Sequence, residues 1–114
     1  APDEASHEGK VDLKIRAIED FDAKVVAPCL DYVERRSDVR ILIAPDHATS
    51  IDTKTHAGGP VPFAAAGAGI APTGATAYSE SAARETGITI DAGHTLVPHL
   101  ITAETVDLRS LATA

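Results

Sequence analysis

The segment Val39–Ala44, reading VRILIA, constrains this chain more than any other. It is rich in β-branched residues, apolar almost throughout, and stopped by Pro45. Such a run reads as a strand buried on both faces, the habit of parallel sheets. Residues 46–60, DHATSIDTKTHAGGP, follow it and are polar and rich in turn formers. In open α/β sheets, ligands bind in loops of this kind at the carboxyl ends of strands. Val61–Ala66 reads as a second strand, cut off by Gly67 and Gly69. Two or three strands with helices are too few to close a stable doubly wound sandwich. The chain therefore reads as α/β and as part of a larger sheet.

The remaining elements fit that frame. Residues 1–10 are polar and acidic and read as a loop or a single turn. Asp12 is the expected N-cap of the following helix. From Val11 to Ser37, residues Ile15, Ile18, Phe21, Val25, Cys29 and Tyr32 recur at spacings of three and four, giving one apolar stripe. Pro28 interrupts it and should kink the helix near residues 24–27, leaving one kinked helix or two abutting ones. Ser79–Glu85 reads as a short helix capped by Ser79, with Gly87 as its stop. Ala92–Thr102 reads as a helix burying Leu96, Val97, Leu100 and Ile101.

The formal net charge of the 114 residues is -7. Such a chain repels nucleic-acid backbones and anionic membranes, so neither is expected as a partner. An acidic chain that handles phosphates needs metal ions to invert the local field. No apolar run approaches the ~20 residues of a membrane span, and no signal segment opens the chain. The single cysteine, Cys29, sits among Val25, Val26, Leu30 and Val33 and reads as a small buried hydrophobe; it suits the cytoplasm. The first residue is Ala rather than Met, so a processed or truncated chain is expected.

Three clusters carry chemistry. Asp3 and His7 stand four apart, which puts both on one face of a helical turn. Asp46 and His47 directly follow the strand, where a turning backbone lets both reach one ion. His56 precedes Gly58 and Gly59, which allow close approach of the backbone to a ligand. Taken alone, Asp3 and His7 read rather as a solvated polar turn, Asp46 and His47 equally as an N-cap Asp with a surface His, and His56 rather as a loop histidine. Together they supply two carboxylates and three imidazoles, a set that suits zinc, manganese or iron better than calcium. Metal pairs ~3.5–4 Å apart recur in phosphoryl-transfer sites.

The string DHATSIDTKTHAGGPVPF resembles the signature of cofactor-independent phosphoglycerate mutases of the archaeal type. It has an Asp-His pair after a strand, then a histidine shortly before Pro60-Val61-Pro62. The opening APDEASHEGK resembles the family's Asp-Glu-Ala-Gly-His-x-Gly-Asp element, matching at Asp3, Glu4, Ala5, His7 and Gly9. Ser6 stands where Gly is usual, Lys10 where Asp is usual, and Ser50 where Pro is frequent. KIRAIEDFDAKVVAP and YSESAARETGITIDAGHTLVPHL are similar to the family's next helix and its closing stretch.

The resemblance implies the alkaline phosphatase superfamily: an α/β/α sandwich with a mostly parallel sheet, incomplete in this chain, of which residues 1–114 form a carboxy-terminal segment. It implies two divalent metal ions, manganese first, with zinc, magnesium or cobalt as alternatives. Asp3, His7 and His56 would hold one ion. Asp46 and His47 would hold the other, together with an Asp and a nucleophilic Ser from the amino-terminal half of the same enzyme. The substrate would be a small phosphorylated molecule, with interconversion of 3- and 2-phosphoglycerate in glycolysis as the reaction. A homoserine kinase-type phosphotransferase or phosphatase, or a non-catalytic metal-binding domain, would keep the same ligands. Ser6 and Ser50 lie beside the ligands but lack the strand-to-helix setting of the family's serine. His94 is expected at a helix start, His99 on the surface, and Lys54 and Arg84 as exposed charges.

Overall fold

The computed structural model describes residues 1–113 and divides into two compact units. The first comprises residues 1–35 and 45–61, the second residues 36–44 and 62–114.

The first unit begins with α1 (Pro2–His7). Pro2 opens it with a φ already suited to a helix, and Asp3 and Glu4 occupy the first turn, where negative charge is favoured. Gly9 ends it in the left-handed region at φ 69°. The amide of Gly9 bonds the Ser6 carbonyl at 3.0 Å and that of Lys10 bonds Ala5 at 2.9 Å, a Schellman closure. The expected loop or turn is thus a short helix with a defined stop. It packs against α2 (Val11–Phe21) and buries Ala5 and Ser6.

Lys10, not Asp12, occupies the N-cap of α2; Asp12 lies within the first turn, where its carboxylate faces the positive end of the helix. A π-helical segment, Asp22–Val26, joins α2 to α3 (Ala27–Glu34). Pro28 has no N–H to return to the carbonyl of Lys24, so the winding widens there and the Ala27 amide bonds Asp22 five residues back. The interruption expected at residues 24–27 takes this form. The apolar stripe of α2 and α3 lies open: Ile18 is 51% exposed and Phe21 49%. Cys29 is exposed as well, correcting its expected burial. Val33, off the stripe, is the buried residue of α3.

In the second unit, β1 (Arg40–Ile43) lies within the VRILIA segment. The later strand, β4 (Ala64–Gly67), pairs with it antiparallel, from Arg40 opposite Gly67 to Ile43 opposite Ala64. A parallel pair needs a crossover, generally a helix, and the segment between these strands has none. The expected mostly parallel sheet and sandwich are therefore not present in the described residues; what is present is α/β with two small antiparallel sheets. One parallel bridge joins Ile70 to Val106. The strand β1 is half-buried rather than buried on both faces.

The core of this unit is Leu96, Leu100, Val106 and Leu108, with Leu42, Phe63 and Ile70 packed against it. Ser79 caps α4 (Glu80–Glu85) by accepting from the Ala82 amide. A 3-10 turn, Gly93–Thr95, leads into α5 (Leu96–Thr102). Leu96 and Leu100 are buried there, but Val97 and Ile101 are exposed, the latter at 77%. Residues four apart share a face, and only the face of 96 and 100 meets the core. A last turn, α6 (Leu108–Leu111), buries Leu108.

Arg40 organises this unit. Its guanidinium donates to the carbonyls of Ala68 at 2.6 Å, Leu100 and Ala103 at 2.7 Å, and Glu104 at 2.8 Å. It thereby satisfies carbonyls left open at the C-terminal end of α5. Arg40→Met keeps the stem and removes the donors. It should lower stability by about 2–4 kcal/mol in urea unfolding, and a loss below about 0.5 kcal/mol would contradict this role.

Candidate metal centre

Three segments of the first unit build the site. Helix α1 carries Asp3 and His7; the turn after β1 carries Asp46 and His47; a two-residue hairpin carries His56. That hairpin pairs β2 (Ala48–Thr49) with β3 (His56–Ala57), Thr49 opposite His56. Its loop closes through the Ser50 amide to the Thr55 carbonyl at 3.0 Å and the Lys54 amide to the Ser50 carbonyl at 2.8 Å. Lys54 sits in the left-handed region at φ 56°. A Cβ on Gly9 would lie 2.7 Å from the Lys54 Cε, so the bare glycine leaves the lysine stem room to cross the end of α1.

Asp3, His47 and His56 meet; His7 stands beside Asp3, and Asp46 beside His47. Asp3 Oδ1 lies 3.3 Å from His7 Nε2 and 3.9 Å from His56 Nε2. The rings of His47 and His56 stack with centroids 3.6 Å apart, and those of His7 and His56 are 5.2 Å apart. Asp46 Oδ2 is 3.3 Å from His47 Nε2, while its Oδ1 accepts from the His47 amide at 2.9 Å. One ligand atom from each of Asp3, His47 and His56 lies within 4.8 Å of the others. Ligands on opposite sides of one ion, with bonds of ~2.1 Å, would stand about 4.2 Å apart. Small side-chain rotations therefore suffice to close this trio on a divalent cation. One carboxylate with imidazoles is also the donor chemistry that such ions take.

The partners fix how the rings are presented. His7 Nδ1 faces the Lys54 carbonyl at 2.8 Å. A carbonyl only accepts, so that nitrogen carries hydrogen, and Nε2 is the atom turned toward Asp3. The Thr49 hydroxyl donates to Asp3 Oδ1 at 2.6 Å. That bond holds the Asp3 carboxyl below its ordinary value of 3.8, burial opposing it and the neighbouring His7, His56 and His47 adding to it. The stability this contributes is present above 3.8 and lost as pH falls through the depressed value.

The other candidates lie elsewhere. Ser6 is fully buried, its hydroxyl donating to the Pro2 carbonyl at 2.8 Å, and Ser50 Oγ accepts from the Thr53 amide at 3.3 Å. Both are engaged in local turns, as the absence of a strand-to-helix setting suggests. His94 stands in the 3-10 turn ahead of α5, His99 on α5, and Arg84 exposed on α4. Thr49 and the Lys54 carbonyl were not singled out in the sequence. A β-branched hydroxyl residue two positions past His47 is the signal that could have marked Thr49; nothing in the letters marks a carbonyl.

Comparison with known proteins agrees with this chemistry. Residues 1–103 match the pattern of the Metalloenzyme superfamily. The chain belongs to the Metalloenzyme superfamily. Membership implies divalent metal ions, for which Asp3, His47 and His56 are a possible ligand group. A 2,3-bisphosphoglycerate-independent phosphoglycerate mutase of Methanothrix thermoacetophila is 46% identical over 102 residues, 89% of this chain and 26% of that protein. A Geobacter sulfurreducens protein bearing the same name as a probable assignment is 41% identical over the same shares. A Methanosarcina barkeri protein of that name is 54% identical over 65 residues, 56% of this chain and 16% of that protein. The chain spans about a quarter or less of the length of these relatives. No solved structure matches it.

His56→Ala should weaken Mn²⁺ binding about tenfold or more in calorimetric titration, while His99→Ala leaves it unchanged. Equal affinities for wild type and His56→Ala would contradict the site.

Proposed function

We propose that this chain is the metal-bearing, carboxy-terminal portion of a 2,3-bisphosphoglycerate-independent phosphoglycerate mutase. The observation that carries the reading is the meeting of Asp3, His47 and His56 within 4.8 Å, in a superfamily member whose relatives bear that name. In this reading Asp3, His7 and His56 hold one divalent ion, and Asp46 and His47 contribute to a second. Manganese is the first expectation. When bound, the ions would neutralise charge on the transferring phosphoryl oxygens and lower the pKa of the nucleophile.

This chain's residues orient and hold. Lys54 turns His7 through its carbonyl, Thr49 steadies Asp3, and the hairpin sets His56 beside His47. Ser6 is buried and Ser50 lies in the hairpin turn, neither in a strand-to-helix setting, so in this reading the nucleophile comes from the rest of the enzyme. The same remainder completes the α/β/α sandwich with its mostly parallel sheet. The substrate is then a phosphoglycerate, handled in the cytoplasm. Among the described residues no helix is long and apolar enough to cross a membrane.

The purified 114-residue chain with Mn²⁺ should show no interconversion of 3- and 2-phosphoglycerate above the uncatalysed background. Joined to the remaining portion of the enzyme it should turn over, and Asp3→Asn in that protein should abolish the activity. Robust turnover by the chain alone, or full activity of the Asp3→Asn enzyme, would overturn this reading.

A further inference from the structure

Thr49 is 8% exposed and stands opposite His56 in the β2–β3 ladder. Its backbone is held as well, since its carbonyl accepts from Lys14 Nζ at 2.9 Å. Residues opposite each other in an antiparallel pair project to the same side. Thr49 thus brings its hydroxyl to the ligand side of the hairpin, on a β-branched side chain with little rotamer freedom.

That hydroxyl has one proton and two lone pairs. A carboxylate can only accept, so the proton goes to Asp3 Oδ1, 2.6 Å away. The same oxygen lies 3.3 Å from His47 Nδ1. With its proton committed, it can only accept there. The Ala48 carbonyl, also 3.3 Å from His47 Nδ1, can likewise only accept. Both neighbours favour the hydrogen of the His47 ring on Nδ1, which turns the Nε2 lone pair toward Asp46 Oδ2, 3.3 Å away, an opposition that a bound cation relieves. The direction of one hydroxyl orients a carboxylate from α1 and selects the tautomer of an imidazole from the turn before β2.

We infer that Thr49 is a positioning residue for the metal centre, holding Asp3 and His47 in the orientation and tautomer in which each can ligate its divalent ion. The inference rests on the metal-site reading above. Outer partners of metal ligands act in this way, and their loss typically costs about 10–100-fold in metal affinity. Thr49 would act through Asp3 and His47, without touching the ion itself.

Two readouts test it on the 114-residue chain: Mn²⁺ uptake followed by electron paramagnetic resonance, and the His47 tautomer in the metal-free protein from imidazole ¹⁵N shifts at mildly alkaline pH. Thr49→Ser keeps the hydroxyl and should bind within about threefold of wild type with the Nδ1–H tautomer retained. Thr49→Val keeps the shape and should bind about 10–100-fold more weakly, with the His47 tautomers mixed. If Thr49→Val does not fold, Thr49→Ala against Thr49→Ser isolates the same hydroxyl. Equal affinity with and without the hydroxyl, or an unchanged tautomer in its absence, overturns the inference and leaves the metal site standing. A wild-type chain that takes up no Mn²⁺ overturns the site and the inference together.

Discussion

The Asp3 carboxylate is the point on which the site depends. Its negative charge faces three imidazoles, and it takes the Thr49 hydroxyl in its shortest contact. Without a cation, Asp3 Oδ1 and His7 Nε2 confront each other at 3.3 Å, two atoms that in the tautomer set by Lys54 both offer lone pairs. A proton or a metal ion between them resolves that arrangement. Its ligand type and the superfamily both favour the metal.

Helix α1 and the hairpin are short, and neither would hold its shape alone. Elements of this size are marginal in water, and packing supplies their stability. The Schellman closure at Gly9 ends α1 one turn past Asp3, and the same glycine leaves room for Lys54. The left-handed Lys54 in turn closes the hairpin loop and turns its carbonyl to His7. A backbone strain of about 1 kcal/mol at Lys54 is thus spent on aiming a ligand. In the second unit Arg40 has a comparable structural part, binding four carbonyls from one half-buried guanidinium, with no share in the chemistry.

The sequence was legible where one physical rule acted alone. Pro28 forced an interruption of the α2–α3 helix, and Ser79 capped α4, because a missing amide and a capping hydroxyl act locally. The spacing of Asp3 and His7 defined a helical face, and the order of Asp46, His47 and His56 ahead of Pro60-Val61-Pro62 suggested a meeting point. Burial was less legible. The stripe of Ile15, Ile18, Phe21 and Val25 reads as core by period alone, yet it is exposed, since period tells which residues share a face and not what that face meets. Val97 and Ile101 fail for the same reason. Among the described residues VRILIA pairs antiparallel, because apolar continuity says nothing of strand direction, which depends on the connection. The supports of Asp3 and His7 are a hydroxyl and a carbonyl brought in by folding, and no spacing announces them.

The central claim is that segments far apart in sequence build one divalent-metal centre around Asp3. Anomalous diffraction from Mn²⁺-loaded crystals of the protein carrying this chain tests it most directly. The account predicts a peak bonded at roughly 2.0–2.2 Å to a carboxylate oxygen of Asp3 and to His56. A fully loaded protein whose manganese lies away from Asp3, His7, His47 and His56 would contradict it.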